Sequence, residues 1–474
     1  MNNSYLLEII KVLTPKHLDE FLKHLEHASE LGYKNIQDQI TLFKTIKATG
    51  PTYSNEELEK EKIYTKVFPG KNPIPGKLEK LMVELTKELR NFLLQKRYID
   101  EKNEHKLQLD WISWLRENGL DMRAHQVMVK SRNSIEKDQE ESLDRYRLDF
   151  LYAEEEHELQ SLHNQFNGNL FITELIEFLD RYYYNYRLEL SNRYLLHQKS
   201  LPLPNLNTDT LELPSIVTNS LLYQISIKIK LLFELENPTP EAFYDLMLIL
   251  KNNETKISFQ TQSQYYAFLR TLCTIIINSG KTEFAEVLHQ IHQDNLERGL
   301  FFINNEIASH AYTNIIHIAI RVKEYQWALE FTEKYKTRII GGDPNQFFYQ
   351  MNLSLCLFAL KRYDEAINNL PDPSLHLHYQ GFIRCLELKI YYEMQSDLLL
   401  YKMYAFRKYF ERTATKLIPA NWRTMYIEFF NIMLQLTQSP PKDKKRSQQL
   451  IDRINKKKLL ADRAWLLEKA RELG

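Results

Sequence analysis

The chain has 474 residues, of which only 12 are Gly, about a third of the usual share. Hairpin turns and phosphate-binding loops use Gly, so few of either are expected. The 62 basic residues balance the 62 acidic ones, which argues against an overall electrostatic attraction to nucleic acid or to an anionic membrane.

The N-terminus and the cysteines bear on the cellular compartment. Segment 1–13 has no basic lead, and Glu8 interrupts its short apolar run, so it is not expected to be a secretory signal. No apolar stretch reaches the roughly 20 residues that a membrane-spanning helix needs. Cys273, Cys356 and Cys385 lie in apolar runs without a CxxC spacing, which is typical of core residues in a reducing compartment. These features predict a cytoplasmic protein with no membrane partner.

Residues 1–200 are predicted to form an N-terminal helical region without a repeat. Thr14-Pro15 is typical of a helix start. Ser54, with Glu57 three positions later, matches a capping box that begins another helix, and Gly119 is typical of a helix end. Further helices are predicted over Pro75–Tyr98, Glu104–Asn118, 139–165 and 169–198.

The segment 54–97 offers an alternative function. It reads as a helix, a break at 68–76 and a longer helix, which loosely resembles the helix-turn-helix core of winged-helix transcription regulators. The longer helix would then enter the major groove of DNA. Its candidate contacts are Lys77, Lys80, Lys87 and Arg90. Glutamates interleaved with these bases would repel phosphates, and no Gly-turn hairpin follows to form a wing, so a plain helical hairpin is preferred.

Residues 201–213 are predicted to be a linker, because Pro and Asn in this segment oppose both helix and strand. A repeat follows within 214–474. In the second helix of each helical pair, an aromatic residue is followed by apolar or small residues three, four and seven positions later, all on one helical face. The sets are Phe243–Leu246–Met247–Leu250, Phe284–Val287–Leu288–Ile291, Tyr325–Ala328–Leu329–Thr332 and Tyr363–Ala366–Ile367–Leu370. A weaker copy is expected at Leu398, Tyr401 and Ala405.

The anchors of this pattern are 41, 41 and 38 residues apart, a period typical of stacked helical hairpins. Two segments, Tyr325–Phe331 and Tyr363–Asn369, match the opening of the second helix in the tetratricopeptide-repeat family. Leu353 and Ser354 fit its first-helix positions. The region therefore resembles that family, although Ile316 takes a small-residue position and the period exceeds the usual length.

This resemblance implies an all-α, α-α superhelix whose concave groove binds peptides or protein surfaces, without enzymatic activity. The first helix of each pair would line the groove. Polar or aromatic residues that interrupt these helices are the predicted groove residues: Tyr265, Tyr266, Tyr312, His317, Gln350, Asn352 and Arg384. The sequence thus predicts a scaffold or adaptor for a protein or peptide partner, and nucleic acid is not expected as the main partner.

No catalytic residue, cofactor or metal site is predicted. The chain has neither a Gly-x-Ser-x-Gly elbow nor the glycine-rich loops that bind nucleotides. Histidines with nearby carboxylates or histidines occur at Glu20/His24/His27, Glu154/His157, Glu286/His289 and His376/His378. Solvated charges surround the first and second sets, and Glu286 and His289 fall beside the apolar face of their helix, so structural roles are preferred to metal binding.

Two blocks carry uneven charge. Residues 136–158 include 10 acidic and 3 basic residues, whereas residues 442–474 include 11 basic and 5 acidic ones. Such blocks are typical of solvated helix faces. Apolar residues between the C-terminal bases predict an amphipathic helix that caps the repeats, with binding of nucleic acid, acidic lipid or an acidic protein as the alternative.

Overall fold

A computed structural model of the chain describes residues 4–30, 36–51, 53–54, 56–100, 103–137, 140–161, 169–198, 214–235, 238–340, 346–413, 418 and 420–474. Over these residues the chain forms 23 α-helices and one short β-hairpin, so the all-α prediction is confirmed. Within these described ranges, no helix combines the length and the apolarity needed to cross a membrane.

The chain divides into two compact units. The first contains Met1–Gln139 and Leu143–Tyr183, and the second contains Glu140–Ser142 and Tyr184–Gly474. The division falls within one long helix, ahead of the predicted linker. That linker, 201–213, lies outside the described residues.

The first unit begins with five helices around one apolar core. They are α1 (Tyr5–Val12), α2 (Pro15–Glu30), α3 (Ile36–Ala48), α4 (Lys60–Val67) and α5 (Lys77–Tyr98). Leu7, Phe21, Phe43 and Leu85 lie fully buried in this core. The predicted capping box does not start a helix. The Ser54 hydroxyl donates to Glu57 at 3.0 Å, but α4 begins only at Lys60.

A second core in this unit lies among the helices α6 (Glu104–Glu117), α7 (Asp121–Lys137) and α8 (Leu143–Ser161). The prediction missed α7 and placed one longer helix over 139–165. The next helix, α9 (Asn169–Gln198), has the bounds that the sequence predicted. Gly119 adopts a positive φ of 73° between α6 and α7, as its position at a helix end requires.

The second unit is a succession of helical pairs. Its helices are α10 (Ser215–Thr218), α11 (Leu221–Glu234), α12 (Pro240–Asn252), α13 (Phe259–Asn278), α14 (Phe284–Glu297), α15 (Ser309–Arg321), α16 (Tyr325–Tyr335), α17 (Phe347–Ala359), α18 (Tyr363–Asn368), α19 (Gln380–Glu393), α20 (Leu399–Arg412), α21 (Ala420–Thr437), α22 (Lys444–Lys456) and α23 (Arg463–Glu472). Each helix packs on the one that follows it, from α11 to α21, and first helices of neighbouring pairs also meet. This is the stacking that an α-α superhelix requires.

The repeated aromatic pattern lies on the buried side of its helices. Phe243, Phe284, Ala328 and Ala366 are all less than 5 % exposed. The fully buried Ala366 permits a close approach of α17, and its carbonyl accepts a hydrogen bond from Ser354 at 2.8 Å. A larger side chain in place of Ala366 or Ser354 would push α17 and α18 apart. The repeated pattern therefore reflects the packing of the two helices within a pair.

The weaker copy of the pattern is wrong in register. Leu398 and Tyr401 are 52 % and 71 % exposed, and Ala405 is also exposed. The buried face of α20 is formed instead by Met403, Phe406 and Phe410, whose own spacing is helical. Tyr401 therefore lies on the surface of the protein, whereas the predicted pattern placed it in the core.

A β-hairpin separates α14 from α15. Strands β1 (Phe302–Ile303) and β2 (Glu306–Ile307) pair antiparallel, and Asn304 and Asn305 form the turn with φ values of 50° and 69°. Asn tolerates this left-handed conformation, so the turn needs no Gly. The hairpin lengthens the connection between these two helical pairs.

Candidate functional site

Four of the seven predicted groove residues lie in the interior of the second unit. Tyr265, Tyr266, Tyr312 and Asn352 are no more than 3 % exposed. The three hydroxyl groups and the amide nitrogen of Asn352 bond inside the protein. The Tyr312 hydroxyl donates to the carbonyl of Thr332 at 2.9 Å, and Tyr266 bonds to Glu254. A tyrosine joins a large apolar ring to one polar tip, so a single internal partner suffices to bury it.

Asn352 lies between the neighbouring first helices α15 and α17, whereas His317 on α15 contacts α19. The Asn352 amide donates to the Thr313 hydroxyl at 3.1 Å. The ring of His317 packs on that of Phe382, with centroids 5.1 Å apart. Burial lowers the pKa of His317 to about 4, so the ring is neutral at pH 7. Gln350 is half-buried on α17.

Arg384 is the one predicted groove residue that lines a described cavity. This cavity has a volume of about 570 Å³ and lies between the end of α18 and the helices α19 and α20; we call it the α18–α20 cavity. Its lining includes Leu370, Asp372, Ile383, Arg384, Glu387, Tyr401, Lys402, Ala405 and Phe406. The structure therefore does not bring the seven predicted residues together in one groove.

The cavity exists because α18 is short. This helix has six residues, whereas its counterparts α12, α14, α16 and α20 have 11 to 14. Pro371 follows α18 and lacks the N–H that would continue it. Asp372 then accepts a hydrogen bond from the Ser374 amide at 2.7 Å and caps a 3₁₀ turn, Pro373–Leu375. The space beside α19 and α20 that a longer α18 would cover stays open.

The two basic side chains that line the cavity differ in their hydrogen-bond partners. Lys402 donates to Glu387 at 2.6 Å, and this hydrogen bond raises the pKa of Lys402. The guanidinium of Arg384 lies over the ring of Tyr409, 4.3 Å from its centroid. Its Nε atom is buried and has no hydrogen-bond partner in the described part of the chain. The cavity thus contains one satisfied ion pair and one arginine with unused donors.

Helix α20 contributes Tyr401 and Lys402 to the lining of the cavity. Tyr401 is 71 % exposed, and Tyr404 on the same helix is half-exposed. Helix α20 carries four basic residues and one acidic residue. Sequence reasoning missed Tyr401 and Lys402 as site residues because the weaker repeat copy assigned Tyr401 to the core. The helical spacing of Met403, Phe406 and Phe410 was the signal that gives the correct facing.

The residues of the helix-turn-helix alternative lie on α5. Lys80, Lys87 and Arg90 are exposed on one face of that helix, and the ammonium of Lys77 lies 4.1 Å from the centroid of the Phe68 ring. The break between α4 and α5 runs over nine residues, from 68 to 76. Helix-turn-helix motifs use a turn of about three or four residues, so the geometry of the connection differs.

Histidines from three of the predicted sets pack against aromatic rings, and the ring centroids of His376 and His378 lie 6.0 Å apart. The ring of His24 packs against Phe21 and Phe92, and His27 pairs with Glu30 on the surface. His289 packs edge-on against Trp327. Among the residues that the structure describes, no group of three or more His, Cys, Asp or Glu side chains is arranged to hold a metal ion.

Comparison with protein-family models, with curated proteins and with solved structures finds no match for this chain.

Proposed function

We propose that this protein is a non-enzymatic scaffold that binds a segment of another protein in the α18–α20 cavity. The observation that carries the proposal is the cavity itself, in which Arg384 has unused donors beside exposed Tyr401 and apolar Phe406. Protein recognition sites commonly combine arginine and tyrosine with an apolar floor. The volume lies within the range of about 300–1,000 Å³ of ligand pockets.

Two further features support this function. Helical pairs that resemble tetratricopeptide repeats stack in the second unit, and proteins built in this way present long surfaces for partners. The three cysteines are free and buried, and burial raises the pKa of all three thiols. Such thiols are poor nucleophiles. Free thiols also fit a reducing compartment, so we place the protein in the cytoplasm.

The test compares two substitutions of alanine by tryptophan. Ala405→Trp would fill the cavity, whereas Ala464→Trp adds the same ring at an exposed position on α23. Full-length wild type and both variants are used as bait in nuclease-treated native lysate, and retained proteins are quantified. The proposal expects partners that the wild type and Ala464→Trp retain and that Ala405→Trp loses. Identical partner sets for all three proteins would contradict it.

A nucleic-acid-associated regulator is the second candidate, because Lys80, Lys87 and Arg90 share one exposed face of α5. It predicts salt-dependent retention of the full chain on duplex DNA. Substituting these three residues together by Ala would abolish retention, whereas a matched triple substitution of the exposed bases Lys445, Arg453 and Lys456 on α22 would leave it intact. No retention of the wild type at low salt would remove this candidate.

A further inference from the structure

Arg384 differs from Arg298, another partly buried arginine of the second unit. The guanidinium of Arg298 donates to Glu254 at 2.7 Å and to Gln262 at 2.6 Å. Arg384 rests on the Tyr409 ring, and its buried Nε has no acceptor among the described residues. A donor removed from water without an acceptor costs free energy. An acceptor supplied from outside would remove that cost.

The acidic residues of the cavity are already engaged. The Asp372 carboxylate accepts the Ser374 amide, and Glu387 accepts from Lys402. Backbone and side-chain hydrogen bonds with Ser374 lower the pKa of Asp372, and the charge of Arg384 contributes less. The Asp372 carboxylate thus caps the 3₁₀ turn, and the Glu387 carboxylate pairs with Lys402. The guanidinium of Arg384 remains available to a ligand.

The geometry selects the chemical class of that ligand. A guanidinium is a planar fork that matches the two oxygens of a carboxylate, and stacking on a ring restricts its orientation. Leu370, Ile383 and Phe406 provide apolar surface beside it. Of the four basic residues of α20, Lys402 lines the cavity, where it pairs with Glu387. Arg384 is then the cationic side chain of the lining that has no ion pair in the described part of the chain, and its charge favours an acidic partner segment.

We propose that the α18–α20 cavity binds an acidic linear segment of a partner protein. A side-chain carboxylate of Asp or Glu accepts hydrogen bonds from Arg384, and a neighbouring apolar side chain packs against Leu370 and Phe406. This inference rests on the proposed function and specifies the chemistry of its ligand.

The experiment measures binding of two fluorescein-labelled peptides to the full-length chain by fluorescence anisotropy. One peptide repeats Gly-Glu-Leu, and the other repeats Gly-Gln-Leu with the same length. The wild type should bind the Glu peptide about tenfold more tightly, which is the usual effect of one hydrogen-bonded charge pair. Both peptides carry the same apolar residue, so the ratio of their affinities isolates the carboxylate.

Substitutions assign the preference to Arg384. Arg384→Gln should reduce the ratio to near one, and Arg384→Lys should give an intermediate ratio because lysine keeps the charge and loses the fork. Arg321→Gln is the control, since Arg321 is an exposed arginine on α15. It should leave the ratio unchanged. Circular dichroism of each variant verifies that it is folded.

The inference would be overturned by equal binding of the two peptides by the wild type, by no binding of either peptide, or by a preference that survives Arg384→Gln. A ratio that falls equally in Arg321→Gln would also overturn it, because the effect would then reflect general charge. Equal binding of both peptides that Ala405→Trp abolishes would leave the proposed function standing while removing the acidic ligand.

Discussion

The ammonium group of Lys389 lies 2.7 Å from the carboxylate of Asp462, which joins α19 to the residue before the last helix of the chain. The Lys389 side chain is only 5 % exposed. Close by, the Trp465 indole donates to Glu393 at 2.9 Å, and Lys469 pairs with the same carboxylate. Two charged contacts therefore hold the C-terminal helix against α19.

Asp462→Asn tests the first of these contacts. Asn keeps the size of the side chain and tolerates the positive φ of 47° at this position, so the substitution mainly removes the charge. Lys389 would be left buried without a counter-charge. We expect the free energy of unfolding to fall by about 3 kcal/mol in urea titrations followed by circular dichroism. Glu411→Gln in the exposed pair with Arg407 is the control, with an expected loss below about 0.5 kcal/mol. Equal losses would contradict the prediction.

The Tyr426 ring leaves no room for a side chain at Gly381. Gly381 lies in the first turn of α19, and a Cβ atom added there would overlap the Tyr426 ring on α21. Gly381→Ala should therefore lower the free energy of unfolding by about 1–3 kcal/mol, the usual cost of overpacking a core. Urea titration measures this loss. Tyr426→Leu, which shortens the side chain, should cost less in the Gly381→Ala background than in the wild type. Additive losses would show that the two residues do not compete for space.

The sequence was sufficient for features that depend on local periodicity. Helix α9 has its predicted bounds, and α2, α5 and α6 lie where caps and apolar spacing place them. The repeat anchors Phe243 and Phe284 are buried as expected. These predictions succeed because a helix of three or more turns repeats the same facing signal several times, so an error at one residue does not change the conclusion.

Features that depend on distant partners were not predictable in this way. The buried Tyr312 hydroxyl donates a hydrogen bond to the carbonyl of Thr332, 20 residues away, and no local pattern contains that information. The α18–α20 cavity depends on where α18 ends relative to α20, which is a property of packing. Of the seven predicted groove residues, Arg384 alone lines this cavity. Its unused donors are visible only once the neighbours of its guanidinium are known.

The three cysteines allow a direct test of core packing. Cys273, Cys356 and Cys385 are 0–1 % exposed, and burial raises the pKa of Cys356 to about 11 and that of Cys273 to about 12. The native protein should therefore show no fast reaction with Ellman's reagent at pH 8, since both access and thiolate are lacking. Denaturation in guanidinium chloride should release all three thiols. Rapid labelling of any thiol in the folded chain would contradict this burial.

Buried histidines should make the second unit sensitive to acid. Burial lowers the pKa of His289, and it lowers those of His292 and His317 to about 3 and about 4. The positive charge of Arg270 further lowers the pKa of His292. In the unfolded chain each histidine titrates near pH 6.5. Between these values the unfolded state binds more protons than the folded state, so stability falls as the pH drops below 6.5.

The size of the effect follows from the same linkage. For His292, lowering the pH from 6.5 to 5 should cost about 2 kcal/mol, because its folded pKa lies well below this window. His292→Gln cannot titrate, so its urea midpoint should decline less steeply between pH 7 and pH 5 than that of the wild type, even if it is lower at pH 7. His27→Gln removes an exposed histidine and should retain the wild-type slope. Parallel slopes for all three proteins would mean that His292 gains a proton without unfolding the chain.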